Sequence, residues 1–426
     1  MSTFDTNNSS RQHLETRLIH DEPVDSQPFK SLHVAEHRGS STFFENTASL
    51  TQAINPLGFD YSYGLHGNPT QFTLAKRLAL IEQAKHCLIV PSGLNAISLV
   101  AYALLDSQDH WLIPNNVYRP VMSLAEQLKQ QHQIDYSVYD PLLPELLSQY
   151  VQDNTRLLWL EAPGSVTLET PNVQTVIASV RKRNPNVIAA IDNTYSAGLG
   201  FKPFNHGCDL SIQALTKHQC GHADVLLGAI LAKNTQVFKP IEHQKRVWGI
   251  GVSPTDCNLV LRGLQTMSLR YQHQAKTALE VAQWLEQQQQ VVHSVLHPAL
   301  PNTPGHPHFK QQFTQSGCLF SVVFKQTVST QQAHAFVDAL TLFRIAYSWG
   351  GPESLALPFE LSANRKKQLQ LHLSQQTQQL TTQPERPKHS QSTHDLLGPV
   401  VRFAIGLENR DDLIADLTQA LETIFS

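Results

Sequence analysis

The stretch VIAAIDNTYSAGLGFKPFNHGCDLSIQALTKH, residues 187–218, decides the fold class. It holds two short apolar runs, VIAAI and LSIQAL, separated by a segment with several glycines and polar residues. Short continuous apolar runs of this kind predict strands that are buried on both faces of a parallel sheet. Asp192 follows the first run, and Thr216 and Lys217 follow the second. Because ligands bind at the carboxyl ends of parallel strands, these polar residues are candidates for a functional site.

The same pattern extends along the chain in both directions. A helix is predicted over TQFTLAKRLALIEQA, and further buried strands are predicted at CLIV, WLI, LLWL and LLGAILA. Beyond about Gly263 the pattern of predicted elements changes: the helix KTALEVAQWLEQ is followed by the strands CLFSVVF and VVRFAIGL and by the helix RDDLIADLTQALETIF. We therefore predict an α/β fold with three parts: an N-terminal arm (1–62), a large domain with a mainly parallel sheet (63–263) and a smaller α+β domain (264–426). The Gln-rich segment at 366–394 predicts a solvated helix end followed by a surface loop.

Composition excludes several classes of protein. Among 426 residues there are 32 Lys and Arg against 35 Asp and Glu, so the chain has no basic field to hold nucleic acid or an anionic membrane. The five cysteines never form a CxxC pair and are odd in number, which indicates a reducing, cytoplasmic location. The N-terminus lacks the apolar run of a secretory signal. One uncharged stretch, 87–105, is long enough to span a bilayer, but Pro91 and Gly93 interrupt it and favour a strand, a turn and a buried helix.

Three strand ends together indicate pyridoxal phosphate. The turn Pro91-Ser92-Gly93-Leu94-Asn95 leads into a helix whose N-terminus suits a phosphate, Asp192 suits a pyridinium nitrogen, and Lys217 suits a Schiff base. Each feature alone has a simpler interpretation, namely an ordinary turn, a structural salt bridge and a surface lysine. The combination is what that cofactor requires.

The chain resembles the Cys/Met-metabolism, or trans-sulfuration, family of fold-type I pyridoxal-phosphate enzymes. The matching motifs occur in family order from about residue 60 to the end: Tyr63-Gly64 with GNPT, CLIVPSG, NNVYRP, LEAPGSVTLE, AAIDNTYSAG, LSIQALTKHQCGHAD, HPALP, AYSWGGPESL and VRFAIGLEN. The resemblance implies a seven-stranded sheet in the large domain. Trp349 in AYSWGG and the EAPGS turn favour the branch that acts on cystathionine by β-elimination.

The resemblance also implies a role for individual residues. Lys217 would bind the cofactor as a Schiff base and later move the Cα proton, and Asp192 would keep the pyridine nitrogen protonated. Tyr118 would stack on the ring and help with proton transfer, which makes it the second catalytic residue. The phosphate would be bound by the backbone at Gly93 and Leu94, by the Thr216 hydroxyl, and by Tyr63 from a neighbouring subunit. The substrate carboxylate would be bound by Arg402, with Ser348 and Trp349 beside it. An ordinary strand-edge ion pair is the simpler alternative for Arg402.

The activity implied is elimination of a thiol from the β carbon of a small amino-acid substrate, with L-cystathionine giving homocysteine, pyruvate and ammonia. Two alternatives remain open: γ-synthase or γ-lyase chemistry, and a cofactor-binding regulatory protein with little turnover. A homotetramer of paired subunits is the family expectation. The cluster His218-x-Cys220-x-His222 raises the alternative of a metal site, but Gly221 disfavours a regular helical pair of ligands, so no metal is predicted.

Several positions depart from the family pattern. Leu65 stands where an arginine usually binds the phosphate, His66 replaces a second arginine, and Ser123 replaces an acidic residue near the distal end of the substrate. Ala214 stands where many relatives have a phosphate-binding serine. These changes remove hydrogen-bond donors from the phosphate site, and they remove a cationic donor and an anionic acceptor from the distal end of the substrate site.

We therefore predict weaker retention of the cofactor than is usual in the family, unless His66, Arg119 or another basic group supplies the missing charge. Equilibrium dialysis against pyridoxal phosphate measures this retention directly. Very tight retention in that experiment would contradict the prediction.

Overall fold

A computed structural model describes residues 13–20, 33–51, 60–381 and 397–425. Parts of the predicted arm (1–12, 21–32 and 52–59) and the second half of the Gln-rich segment (382–394) lie outside these ranges. The helices are α1 Leu14–His20, α2 Thr47–Thr51, α3 Pro69–Glu82, α4 Gly93–Leu104, α5 Arg119–His132, α6 Val173–Arg183, α7 Thr235–Val247, α8 Pro254–Leu264, α9 Met267–Leu285, α10 His306–Gln312, α11 Thr330–Asp338, α12 Ala363–Thr381 and α13 Arg410–Phe425.

The strands form two separate sheets. They are β1 His86–Val90, β2 His110–Pro114, β3 Asp135–Tyr139, β4 Thr155–Glu161, β5 Ile188–Asp192, β6 Leu210–Ala214, β7 Gly228–Ala232, β8 Val292–Leu296, β9 Leu319–Lys325, β10 Leu355–Phe359 and β11 Leu397–Ala404. The first sheet has seven strands in the order β1-β7-β6-β5-β4-β2-β3, and the second has four in the order β10-β11-β9-β8. The predicted fold class is confirmed: a mainly parallel sheet flanked by helices, followed by a smaller sheet.

The large sheet is covered on both faces, as its apolar runs predict. In β2, Trp111 and Ile113 pack into one core cluster, whereas Leu112 packs into the cluster on the opposite face. Strand β7 is the exception to the parallel arrangement, because it pairs antiparallel with both β1 and β6. Strand β3, with the sequence DYSVY, was not predicted, since an edge strand with polar residues lacks an apolar run.

The uncharged stretch 87–105 contains the predicted strand and helix, β1 and α4. Ser92 is the N-cap of α4, and its side chain accepts a hydrogen bond from the Asn95 backbone N–H. Within the described ranges, every helix is too short or too polar to cross a bilayer.

Part of the segment 1–62 is helical and contacts the rest of the same chain. Leu18 of α1 is buried in the cluster that covers one face of the large sheet. Glu15 of α1 accepts a hydrogen bond of 2.8 Å from the Ser268 hydroxyl of α9. The proposed domain bounds stay a prediction, although the two sheets fall on either side of residue 264.

Helices α9 and α12 connect the two sheets. Met267 and Tyr271 at the start of α9 pack into a cluster of the large sheet, whereas Val281 and Leu285 near its end pack into the core of the small sheet. In α12, Arg365 donates to Glu169 at 2.6 Å and to Thr167 at 2.7 Å, in the loop after β4. Burial raises the pKa of Glu169, but the Arg365 guanidinium and the Thr167 hydroxyl together hold it below its ordinary value.

We predict that Arg365→Met lowers the free energy of unfolding by about 3–5 kcal/mol, because it leaves the Glu169 carboxylate buried without a counter-ion. Urea titration measures the loss. The double variant Arg365→Met with Glu169→Gln should recover most of it, since no buried charge remains. Arg410→Met is the control, because Arg410 makes only exposed ion pairs with Glu280 and Asp411 and its loss should change little. Equal losses in the single and double variants would contradict the prediction.

Candidate active site

The site lies where three strands of the large sheet end. Glu161 and Asp192 are the last residues of β4 and β5, and the parallel register places them opposite each other. Strand β6 pairs with β5 and ends at Ala214, so the following Thr216 and Lys217 reach the same edge. The sheet topology therefore brings together the two strand ends that the sequence singled out.

Lys217 is held by the loop before β10. Its Nζ donates to the Ser348 Oγ at 2.6 Å and lies 5.6 Å from the centroid of the Trp349 ring. Burial lowers the pKa of Lys217 to about 8, and the positive charge of Arg402 acts in the same direction while Asp192 opposes it. A substantial neutral fraction of this amine is therefore present near neutral pH.

Arg402 lies in β11, and it forms a hydrogen bond with Ser348, the residue that also binds Lys217. Its Nη2 donates to the Ser348 carbonyl oxygen at 3.2 Å, and its guanidinium lies 5.1 Å from the centroid of the Phe359 ring. Burial lowers the pKa of Arg402 to about 10, and the Nε is buried with no hydrogen-bond partner among the described residues. A buried guanidinium with an unused donor has a free side for a carboxylate.

Ser348 accepts a hydrogen bond from each of the two basic side chains: its hydroxyl accepts from Lys217 and its carbonyl oxygen from Arg402. Its φ of 87° lies in the left-handed region, which is uncommon for a residue with a side chain. The adjacent Trp349 ring packs edge to face against His218, with the centroids 5.4 Å apart. The predicted substrate-binding residues Ser348, Trp349 and Arg402 thus lie together beside Lys217.

Two carboxyl groups end the neighbouring strands β4 and β5, and one of them, Asp192, interacts with the charge of Lys217. Asp192 accepts a hydrogen bond of 3.0 Å from the Thr194 backbone N–H; burial raises its pKa, and the bonds from Thr194 and the charge of Lys217 oppose the rise. Burial, together with the charge of Asp192, raises the pKa of Glu161 to about 8. The pair therefore carries a proton near neutral pH, and we assign it to Glu161 because the charge of Lys217 favours the ionised form of Asp192.

Tyr118 is the N-cap residue of α5, and its side chain is 44% exposed. Burial raises the pKa of its hydroxyl, and the carboxyl groups of Asp192 and Glu161 raise it further, whereas Arg402 lowers it. Tyr118 consequently keeps its proton at neutral pH and can donate it in a hydrogen bond.

The predicted phosphate-binding residues surround the start of α4. Gly93 is the first residue of this helix, and a Cβ there would lie 2.6 Å from the Ala214 Cβ, so only glycine allows this approach to the end of β6. The Thr216 hydroxyl accepts from the Leu227 N–H at 3.2 Å, and Leu94 is half-exposed. Tyr63, the remaining predicted phosphate-binding residue, is 52% exposed, and its backbone pairs with that of Ser41.

Pyridoxal phosphate fits this arrangement. The free N–H groups of the first turn of α4 suit its phosphate, Asp192 retains acceptor capacity for a protonated ring nitrogen, and Lys217 has a depressed pKa. The unpartnered Nε of Arg402 suits the carboxylate of an amino acid bound next to it. No group of three or more His, Cys, Asp or Glu residues with metal-site geometry occurs in the described ranges.

Sequence reasoning missed Glu161, the group that lies opposite Asp192. The signal was available, because Glu161 ends the apolar run LLWL just as Asp192 ends VIAAI. Both carboxylates therefore have the same position in the sequence pattern, at the end of a buried strand. The contact between Cys318 and His218 was not predicted either. The Cys318 Sγ lies 3.8 Å from the His218 Nε2, and a buried cysteine gives no sequence signal.

We predict that Lys217 in the cofactor-free protein reacts with trace acetic anhydride half-maximally near pH 8, because only the neutral amine is acylated. Arg402→Met should move this midpoint to higher pH, since it removes a positive charge that disfavours the ammonium form. Mass spectrometry of the labelled peptides gives both midpoints. The exposed Lys129, whose pKa is raised by its hydrogen bond to Asp135, is the internal control. A Lys217 midpoint as high as that of Lys129 would contradict the assignment.

Comparison with known proteins places the chain among enzymes of sulfur amino-acid metabolism. It is 33% identical to a cystathionine beta-lyase of Haemophilus influenzae over 414 residues, which cover 96% of this chain and 98% of that protein. It is 30% identical to a cystathionine gamma-lyase of Bos taurus over 413 residues, covering 96% of this chain and 94% of that protein. The crystal structure of metB from Corynebacterium glutamicum matches with a TM-score of 0.82 and 26% identity, covering 99% of this chain and 100% of the other. The model of the family described as "Cys/Met metabolism PLP-dependent enzyme" matches residues 15–422, so the chain belongs to this family of pyridoxal-phosphate-dependent enzymes.

Proposed function

We propose that this enzyme breaks the Cβ–S bond of an amino acid by β-elimination, with L-cystathionine and water giving homocysteine, pyruvate and ammonia. The observation that carries the proposal is the convergence of the Lys217 amine and the Arg402 guanidinium on Ser348. This geometry suits an α-amino acid whose carboxylate binds Arg402 while its Cα lies next to Lys217. The similarity to the Haemophilus influenzae cystathionine beta-lyase over almost the whole chain supports the choice of substrate.

The cofactor site follows from the same geometry. Lys217 would bind pyridoxal phosphate covalently, Asp192 its ring nitrogen, Tyr118 its ring, and the start of α4 with Thr216 its phosphate. When bound, pyridoxal phosphate supplies an electron sink that stabilises negative charge on the substrate Cα. Asp192 holds the ring-nitrogen proton most firmly when it is ionised itself, which agrees with our assignment of the neighbouring proton to Glu161.

Arg402 binds and orients the substrate. Its Nη2 is held by Ser348, so the guanidinium plane is fixed while Nε remains available to a carboxylate oxygen. The Phe359 ring below it excludes water from one face of the guanidinium. A carboxylate that binds here is held in one orientation, which places the Cα–H bond relative to Lys217.

Lys217 transfers the proton. Once the substrate amine has replaced it on the cofactor, the Nζ of Lys217, whose pKa burial lowers to about 8, would exist partly as the neutral base and accept the Cα proton of the substrate. The ammonium then donates a proton to the sulfur as the Cβ–S bond breaks and the electron pair leaves with sulfur. The Ser348 hydroxyl, 2.6 Å from Nζ, orients the amine between these positions.

The choice of β- over γ-elimination is supported by two features. Trp349 lies beside the Lys217 amine and is packed against the buried His218, so its ring narrows the space around the reacting carbon. The second feature is the EAPGS turn, which in this family favours the β-eliminating branch. Its last residue is held in place, because the Ser165 hydroxyl donates to Glu161 at 2.6 Å.

We extend the proposal to assembly and location. The exposed side chain of Tyr63 is consistent with a role at the site of a neighbouring subunit in a homotetramer. The five free cysteines, of which Cys208, Cys220, Cys257 and Cys318 are buried, are consistent with a cytoplasmic location.

We predict that the purified enzyme releases pyruvate and homocysteine from L-cystathionine in equal amounts. Lys217→Ala should lower kcat by at least about 100-fold, since it removes the general base. Lys233→Ala is the control, because Lys233 lies at the surface over the Phe204 ring. A lactate-dehydrogenase-coupled assay and thiol titration measure the two products. Release of 2-oxobutyrate instead of pyruvate would establish γ-elimination, and a cofactor absorbance change without product would indicate the regulatory alternative.

A further inference from the structure

Glu161 makes contacts that the proposed reaction does not yet use. Its Oε2 accepts a hydrogen bond of 2.6 Å from the Tyr118 backbone N–H, and its Oε1 accepts one of 2.6 Å from the Ser165 hydroxyl. The side chain is buried, with 8% of the residue exposed. One carboxyl group therefore connects the EAPGS turn to the NNVYRP segment.

The two segments approach each other at a second point. A Cβ on Gly164 would lie 2.0 Å from the Asn116 Nδ2, so only glycine allows the turn to pack against this amide. The Asn116 amide in turn lies 3.4 Å from a Glu169 oxygen. The backbone that leads into Tyr118 is thus positioned by contacts with residues 161–169.

The Tyr118 backbone is held by α5 on one side, where its carbonyl oxygen accepts the Val121 N–H at 2.9 Å, and by Glu161 on the other. As the N-cap residue of α5 it makes no side-chain capping bond, and its partly exposed ring is not enclosed by neighbours. The direction of the ring follows from the backbone at Tyr118, and Glu161 accepts the N–H of that residue. Loss of this acceptor leaves the N–H unpaired and lets the backbone rotate.

We infer that Glu161 is a positioning residue, which fixes the Tyr118 ring over the cofactor by accepting the Tyr118 backbone N–H. The inference rests on the role given to Tyr118 in the proposed function. Glu161 acts here as a hydrogen-bond acceptor: its Oε2 accepts the Tyr118 N–H whether the carboxyl group is ionised or carries a proton on Oε1. An amide has the same shape and still offers an acceptor oxygen, so it should replace the carboxyl group.

The test compares Glu161→Ala with Glu161→Gln. Glu161→Ala should lower kcat by about 100-fold with a smaller change in KM, because the ring is displaced from the reacting atoms while Arg402 still binds the substrate. It should also weaken retention of pyridoxal phosphate, measured by equilibrium dialysis of the protein without substrate. Glu161→Gln should restore both values to near those of the unchanged protein.

A double-mutant cycle with Tyr118→Ala shows whether Glu161 acts through Tyr118. Once the ring is removed, Glu161→Ala should cause no further loss of cofactor retention. Retention is measured without turnover, so this result stands even if the enzyme does not release pyruvate. Equal losses with and without the ring, or a Glu161→Gln variant as impaired as Glu161→Ala, would overturn the inference.

Asp109→Ala is the control for loss of a carboxylate that accepts a backbone N–H group. Asp109 accepts that of Asp106 at 2.9 Å just before β2 begins, at the edge of the sheet opposite to the site, so its removal should leave kcat and retention unchanged. Should Glu161→Ala not fold, Ser165→Ala removes only the second bond to Glu161. It should give a smaller loss of kcat and retention in the same direction, and no loss in either value would contradict the inference.

Discussion

The burial of two positive charges next to each other is the constraint on which the site depends. Lys217 and Arg402 both bind Ser348, and burial lowers the pKa of each. Placing like charges in a poorly solvated site is unfavourable, and this makes it easier for the lysine to lose its proton. The same electrostatic conflict suits Lys217 to the proposed role of base and Arg402 to the proposed role of fixed cation for a carboxylate.

Glu161 and Asp192 form the corresponding pair of buried acidic groups. Glu161 and Asp192 end neighbouring parallel strands in register, so the sheet itself forces them together. Because both cannot ionise easily in a buried site, a proton stays with the pair near neutral pH. This leaves Asp192 as the charged member facing Lys217 and Glu161 as a neutral acceptor for the Tyr118 backbone.

The site also requires the two sheets to keep their relative position. Lys217 follows a strand of the large sheet, whereas Arg402 lies in the small sheet, and Ser348 connects them. Helix α9 packs into the cores of both sheets, and Arg365 of α12 binds Glu169 in the loop that begins with the EAPGS turn. A buried ion pair of this kind fixes a geometry more than it adds stability.

The sequence by itself determined the class of fold and the cofactor, and it singled out Asp192 and Lys217 at neighbouring strand ends. Apolar runs that end in Asp192 and Lys217, and a small-residue turn before α4, carry that information locally, because burial and helix N-termini impose patterns on short segments. The polar edge strand β3 and the reversed direction of β7 left no such pattern, since strand direction depends on the neighbours with which a strand pairs. Only the tertiary structure decided that Ser348 joins Lys217 to Arg402 and that Glu161 lies opposite Asp192. These contacts join residues far apart in the chain, and the pKa shifts that define the chemistry arise from their joint burial.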